Sequence, residues 1–417
     1  MLNIKKDLFP VFTALAAGSV YFTFFFNTPV PSFFLLLLTG YALWHYKKID
    51  WKKWKQKDVI LPGCWVIFYV ILSLITGQFY DEWNFILRIL PFLIIPLIIT
   101  GYRYWSEKKL MFVYRFFVLM GVFVFLVALI NAIIRQINAW PRLHHINWYF
   151  FYRYDFWEIF HQHPVYMSYF YLMALLLLFY KKNLFPGLWS YFIGFIIFFA
   201  ILLSGSRIGY MFFIFFSLLF FLGEFKRQKD KKKWLYPLVV LVLFAIASFR
   251  VPIIKEQIYQ TLGITYNYQY YARKKGEKGK LQKRKPLRPL LWKDSWEVIW
   301  QSPLKFNGRH RALKRLFEKY RQKKHDRFLQ FGYNSHNIYL SLWLYGGPLW
   351  LLCYLALLGI FWMRGIRERD KLIILFALLW TVAGITETIF LSRGIIFFIL
   401  FYSLLIVEIQ MRSISYY

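Results

Sequence analysis

His336, Arg207 and Arg288 are the side chains best suited to chemistry in this chain. Arg207 lies in the run Ser204-Gly205-Ser206-Arg207, and Arg288 stands just before a tryptophan-rich stretch. His336 belongs to Asn334-Ser335-His336-Asn337, immediately before an apolar segment. Arg88 sits within another apolar segment, and Glu387 and Arg393 flank the gap between the last two. Burying such groups near lipid is costly, which marks them as functional candidates. Arginine presents a planar fork of donors that matches phosphate oxygens and stays charged. A neutral imidazole, with an unperturbed pKa of about 6.5, suits removal of a proton from an attacking hydroxyl at neutral pH. Together these groups fit transfer from a lipid pyrophosphate, with arginine stabilising the leaving group's charge. Such a reaction needs no nucleotide. The bland alternatives are snorkelling arginines and an interfacial histidine with only a structural role.

The elements that must position these residues are membrane helices. Of 417 residues, 59% are hydrophobic and 23% aromatic, a composition of the membrane class. A spanning helix needs roughly 20 mostly apolar residues. About twelve segments qualify: 8–26, 30–45, 59–76, 85–100, 110–133, 165–180, 188–203, 208–225, 234–249, 338–362, 372–390 and 395–410. The expectation is an all-α polytopic membrane protein of about twelve spans. Residues 1–250 carry spans 1 to 9, residues 251–336 form one large basic loop, and residues 337–417 carry spans 10 to 12. The N-terminal apolar run has no small-residue cleavage site after it, so the first span is read as retained.

The formal net charge of +33 invites a nucleic-acid reading, but topology accounts for much of it. Basic runs mark alternate connections: Lys47–Lys57, Arg103–Lys109, Lys181-Lys182, Lys226–Lys233 and Arg364–Lys371. The positive-inside rule then puts both termini in the cytoplasm and loops 134–164 and 251–336 outside, since long loops cross regardless of charge. Loop 251–336 holds 21 basic and 6 acidic residues. Within it, Trp292, Trp296, Ile299 and Trp300 share one helical face, and Leu313, Leu316, Phe317 and Tyr320 share another. A basic amphipathic helix of this kind docks on a membrane interface. Loop 134–164 is an aromatic belt with four histidines; the His161-x-His163 pair has no accompanying carboxylate motif and makes a weak metal site. Cys64 and Cys353 lie in apolar segments and form no disulfide framework.

Several short runs resemble signatures of the O-antigen ligase and polymerase superfamily. They are His336-Asn337-Ile338-Tyr339-Leu340 with Leu344-Tyr345-Gly346-Gly347-Pro348 after it, Ser204-Gly205-Ser206-Arg207, His163-Pro164-Val165-Tyr166, and Thr386-Glu387 with Arg393-Gly394 downstream. They fall in the family's order, and the large loop falls in its place. The resemblance implies a GT-C-like architecture with a periplasmic active site in the inner membrane of a Gram-negative bacterium. It implies metal-independent, inverting glycosyl transfer without a cofactor. The donor would be an undecaprenyl-pyrophosphate-linked glycan and the acceptor, in a ligase, the lipid A-core. By motif position Arg207 and Arg288 would hold the pyrophosphate and His336 would be the base. Asn337, Tyr339, His163, Tyr166, Arg88, Glu387 and Arg393 would support them. Two positions depart from the pattern: Phe306-Asn307-Gly308-Arg309 replaces a Gly-x-Gly turn, and Tyr345 stands where an acidic residue is expected. A polymerase of the same superfamily, and a lipid-linked oligosaccharide flippase, remain the alternatives; a transporter would place its polar sites near the bilayer midplane.

The topology is open to direct measurement. In a background lacking Cys64 and Cys353, a cysteine at Gly276 should react with an impermeant reagent added outside intact inner-membrane vesicles of native orientation, and one at Lys231 should not. Labelling at Lys231 alone would reverse the assignment.

Overall fold

The computed structural model describes residues 7–22, 24–25, 28–144, 146–181, 183–227, 287–388 and 394–414. The expected span 234–249, the most basic stretch of the large loop and Arg393 lie outside the described residues. The fold is helical apart from a two-residue pairing of Phe24–Phe25 with Thr28–Pro29. The helices are α1 (Phe9–Ser19), α2 (Val30–Trp44), α3 (Lys57–Ile75), α4 (Phe79–Ile89), α5 (Pro91–Gly101), α6 (Glu107–Leu143), α7 (Arg153–Trp157), α8 (Pro164–Tyr180), α9 (Leu188–Ser204) and α10 (Arg207–Arg227). Then follow α11 (Leu287–Trp300), α12 (Gly308–Gln322), α13 (Asp326–Gln330), α14 (Ile338–Arg367), α15 (Lys371–Thr386) and α16 (Gly394–Ile414). Every expected apolar segment among the described residues carries a helix. Among the described residues five helical segments are long and apolar enough to cross a membrane: 57–75, 79–101, 107–143, 338–367 and 394–412. A sixth is added if α7 and α8, bent by 79° at Phe160–Pro164, form one broken span.

The chain divides into two compact units, residues 1–118 with 286–417, and residues 119–285. In the first unit α16 is buried nearly all round, which explains its lack of a polar face. It packs on α5, while α14 packs on α3 and α15. Trp65 of α3 and Trp350 of α14 stack at 4.5 Å, and the Trp350 Nε1–H donates to the Trp65 carbonyl at 3.1 Å. The segment 79–101 bends where Pro91 removes an N–H from the helix. At Gly347 α14 leaves helical geometry, with φ +76° and ψ −179°, a conformation reserved for glycine. A Cβ at Gly346 would strike the Trp350 ring.

The break frees carbonyls that the preceding loop satisfies. The Asn307 N–H donates to the Tyr345 carbonyl at 3.1 Å, and Asn307 Nδ2 to that of Leu344 at 3.2 Å. Trp343 Nε1 donates to the Pro303 carbonyl at 2.8 Å. This loop joins α11 to α12, so both lie on α14. Leu316 and Tyr320 of α12 are buried, as its apolar spacing requires. In α11 the face that the sequence marks is divided: Ile299 is buried with Leu291, Asp294, Ser295 and Val298, whereas Trp296 and Trp300 are exposed. The reason is ionic: Asp294, only 1% exposed, binds Lys323 Nζ at 2.6 Å and His325 Nδ1 at 2.9 Å. That pair turns the polar residue inward and the tryptophans outward.

In the second unit α8 is buried along most of its length. Gly209 of α10 packs on Ser168 of α8, where an added Cβ would stand 2.8 Å from the serine Cβ, a small-residue crossing of the kind membrane helices favour. α6 runs to Leu143, so the expected outer loop 134–164 starts ten residues later than the hydropathy suggested.

Hydrogen bonds from Lys319 and Lys323 pull the Glu297 carboxyl down to about 2. A depressed acid contributes stability that is present above its ordinary range, about 4.3 for Glu, and lost as pH falls through its folded value. Amide protection in α11 and α12, corrected for the intrinsic exchange rate at each pH, should therefore fall between about pH 4.5 and 2, and Glu297→Gln should flatten that dependence. Equal pH profiles for the two proteins would refute it.

Candidate functional site

Glu387 lies just past the C-terminus of α15, with extended backbone, and is 6% exposed. Its Oε1 accepts from Arg288 Nη2 at 2.8 Å, and its Oε2 lies 3.1 Å from His336 Nδ1. Three expected residues thus meet, one from α11, one from the turn before α14 and one after α15. A buried carboxylate is tolerable when cations and hydrogen bonds compensate it, and here two basic groups do so. Arg288 and His336 remain partly open to solvent, with 44% and 30% of their side chains exposed.

Local sequence explains how His336 is held. Its φ is +46°, uncommon for a residue with a Cβ. Asn334 Oδ1 accepts the His336 N–H at 2.9 Å and the Thr388 hydroxyl at 3.3 Å. Asn337 caps α14 through the Leu340 N–H at 3.0 Å, as expected of an N-cap asparagine. The Ser335 and Ser341 hydroxyls are 2.6 Å apart, and the Tyr333 ring stands edge-on to His336 at 5.4 Å. Tyr339 donates to the Thr381 carbonyl at 2.8 Å, fixing α14 to α15. At this crossing a Cβ on Gly384 would stand 2.6 Å from Ile338 Cγ2, so glycine permits the approach that brings Glu387 to His336.

The arrangement has definite chemical capacity. A carboxylate on Nδ1 selects the imidazole tautomer protonated there and leaves Nε2 able to accept a proton. Arg288 is bound through one terminal nitrogen, and its other N–H groups are available to phosphate oxygens.

In the second unit, Gly205 ends α9 in the left-handed region at φ +64°. The Ser206 hydroxyl accepts the Gly209 N–H at 3.1 Å and caps α10. Arg207 is therefore the first residue of α10, and it is exposed. His163 is the N-cap of α8: its Nδ1 accepts the Val165 N–H at 3.3 Å, its Nε2 meets the Tyr154 hydroxyl, and the Tyr166 ring is 5.7 Å away. Both of its nitrogens are engaged in shaping the turn into α8.

The sequence reading missed another buried carboxylate. Glu82 of α4 is fully buried. It accepts from the Tyr69 hydroxyl at 2.7 Å and from the His310 N–H at 2.7 Å, while the Tyr69 oxygen accepts the Arg309 N–H at 3.1 Å. It anchors the N-terminus of α12, where negative charge is favoured. Tyr345 is close enough to feel its charge, so a carboxylate is present beside the position where the family pattern carries an acid. No signal in the sequence pairs α4 with α12. Arg88, on the same helix, lies one turn beyond Phe85, whose ring Arg309 covers. Among the described residues no group of three or more His, Cys, Asp or Glu side chains is placed to hold a metal.

The apolar helices and their packing define an all-helical, polytopic membrane protein. Residues 192–355, which include Arg207, Arg288 and His336, match the family model described as O-antigen ligase. Over that stretch the chain is similar to the O-antigen ligase family. No curated protein sequence is similar enough to the chain to match it.

Glu387→Gln keeps the side-chain shape and removes the charge. It should lower glycan transfer by about 10²-fold or more, the range of a disabled general base, with protein level and elution volume unchanged. Near-normal transfer would reduce Glu387 to a helix-end anchor.

Proposed function

We propose that the protein is an O-antigen ligase, transferring a glycan from undecaprenyl pyrophosphate to the lipid A-core at the periplasmic face of the Gram-negative inner membrane. The Arg288–Glu387–His336 cluster carries this reading. In the proposed reaction an acceptor hydroxyl attacks the anomeric carbon of the donor. Its proton passes to His336 Nε2. The bond between that carbon and the pyrophosphate oxygen breaks, and the lipid pyrophosphate leaves with the bonding electrons. A single displacement inverts the anomeric centre. Arg288 and Arg207 bind the pyrophosphate, and their permanent charge offsets the charge that develops on it. Glu387 holds the tautomer of His336 and stabilises the imidazolium formed.

Both termini are assigned to the cytoplasm, by the alternation of basic runs. A polymerase of the same superfamily would use another lipid-linked glycan as acceptor. Lipopolysaccharide gels of a deletion strain separate the two: loss of the ladder with accumulated lipid-linked polymer supports the ligase, and retained single-repeat capping supports the polymerase.

Two variants test the chemistry. Arg207→Lys should impair transfer severely, because a point charge does not reproduce the bidentate fork. His336→Gln should lower the rate by about 10²–10⁴-fold. The wild-type rate should fall toward acid, as a reaction that needs a general base does, and should survive EDTA. A rate that rises toward acid would make His336 a phosphate ligand instead.

A further inference from the structure

Arg88 and Arg309 are 221 positions apart in sequence, yet α4 packs against α12; Arg309 lies over Phe85, and Arg88 is the next residue but two on α4, one turn along the same face. Among the described residues neither is paired with a carboxylate. The nearest acid, Glu82, is committed to Tyr69 and to the α12 backbone. Arg309 lies over the Phe85 ring at 5.8 Å, which occupies its face and leaves its N–H edges for a ligand. Its Nε is buried without a hydrogen-bond partner. So is Oε1 of Gln78, a residue 2% exposed, which points at Gly308. Like charges held together beside orphaned buried polar atoms are unfavourable unless an anion joins them.

We propose that Arg88 and Arg309 form a second phosphate-binding subsite, which holds a phosphate of the glycolipid acceptor while the His336 cluster holds the donor's pyrophosphate. The inference rests on the transfer reading above. Arg88 lies on a segment apolar enough to span a membrane, so a ligand that reaches it is an amphiphile at the membrane. Arg309 is near Tyr345, nine residues along the chain from His336. At a rise of about 1.5 Å per residue Tyr345 lies about 10 Å along α14 from Ile338, and His336 stands two residues before that helix start. That spacing leaves room for sugars between the acceptor's phosphate and the hydroxyl that attacks. The Arg–phosphate fork would hold the acceptor in register with His336.

Native mass spectrometry of the full chain in detergent micelles tests this, titrated with rough lipopolysaccharide before and after removal of its phosphates, and with phosphatidylglycerol. The wild type should prefer the phosphorylated glycolipid by about tenfold or more, the scale of one or two charge-assisted hydrogen bonds. Arg88→Gln/Arg309→Gln should abolish the preference. Arg309→Lys, which keeps the charge and the seat of α12, should weaken it while preserving the elution volume. An unchanged preference in the double variant would overturn the subsite. Phosphatidylglycerol binding as tightly as the glycolipid, and lost in the same variant, would overturn the acceptor assignment in favour of a phospholipid. Binding is read without turnover, so a failure of the transfer reading, seen in the His336→Gln assay, is a separate result.

Discussion

The buried carboxylate of Glu387 is the constraint around which the candidate site is arranged. Nearly removed from water, it needs compensation from positive charge and hydrogen bonds. Arg288 and His336 supply both, from positions 99 and 51 residues away. This requirement fixes where α11 begins relative to α14 and where α15 ends. It also sets the histidine tautomer, because a carboxylate on Nδ1 leaves Nε2 as the acceptor. The strained backbone of His336, supported by Asn334, is one cost of this geometry. The glycine at 384, which allows α15 to approach α14, is another sign that the approach itself is selected by the fold.

Another buried carboxylate governs the basic hairpin. Glu82 and Tyr69 bind the first N–H groups of α12, and Asn307 binds the carbonyls freed by the break in α14. Helix ends leave unsatisfied donors and acceptors, and here the ends of one element satisfy the gap in another. The hairpin is thus seated on helices that are apolar enough to span a membrane, while Trp296 and Trp300 of α11 and Arg311, Lys314 and Arg321 of α12 face outward. The arrangement suits a surface that receives anionic amphiphiles, and gives the chemistry of the proposed donor and acceptor a common platform.

Much of this was legible before the structure. Helix positions followed from hydropathy, because lipid demands long apolar runs whose backbone is satisfied internally. The turn at Ser204–Arg207 was readable because Gly205 supplies the left-handed end of α9 and Ser206 the cap of α10. Asn337 as a cap, Gly347 as a break and the apolar stripe of α12 were readable for similar local reasons. The burial of Asp294 in α11 was not, since its partners Lys323 and His325 stand 29 and 31 residues on, in the turn between α12 and α13.

The sequence by itself determined a polytopic helical protein and the identity of His336, Arg207, Arg288 and Glu387 as groups worth attention. Residue type and local spacing carry that information, because charge in an apolar setting is expensive wherever the chain goes. Only the tertiary structure decided that Glu387 joins Arg288 to His336, that Glu82 holds the start of α12, and that Arg309 covers Phe85, one turn from Arg88. Each of these contacts spans between 51 and 228 residues. Hydropathy and capping rules act within a few turns of helix, so they leave undetermined which helix ends meet. That choice falls to packing shape and to the pairing of buried charge, which exist only once the helices have assembled.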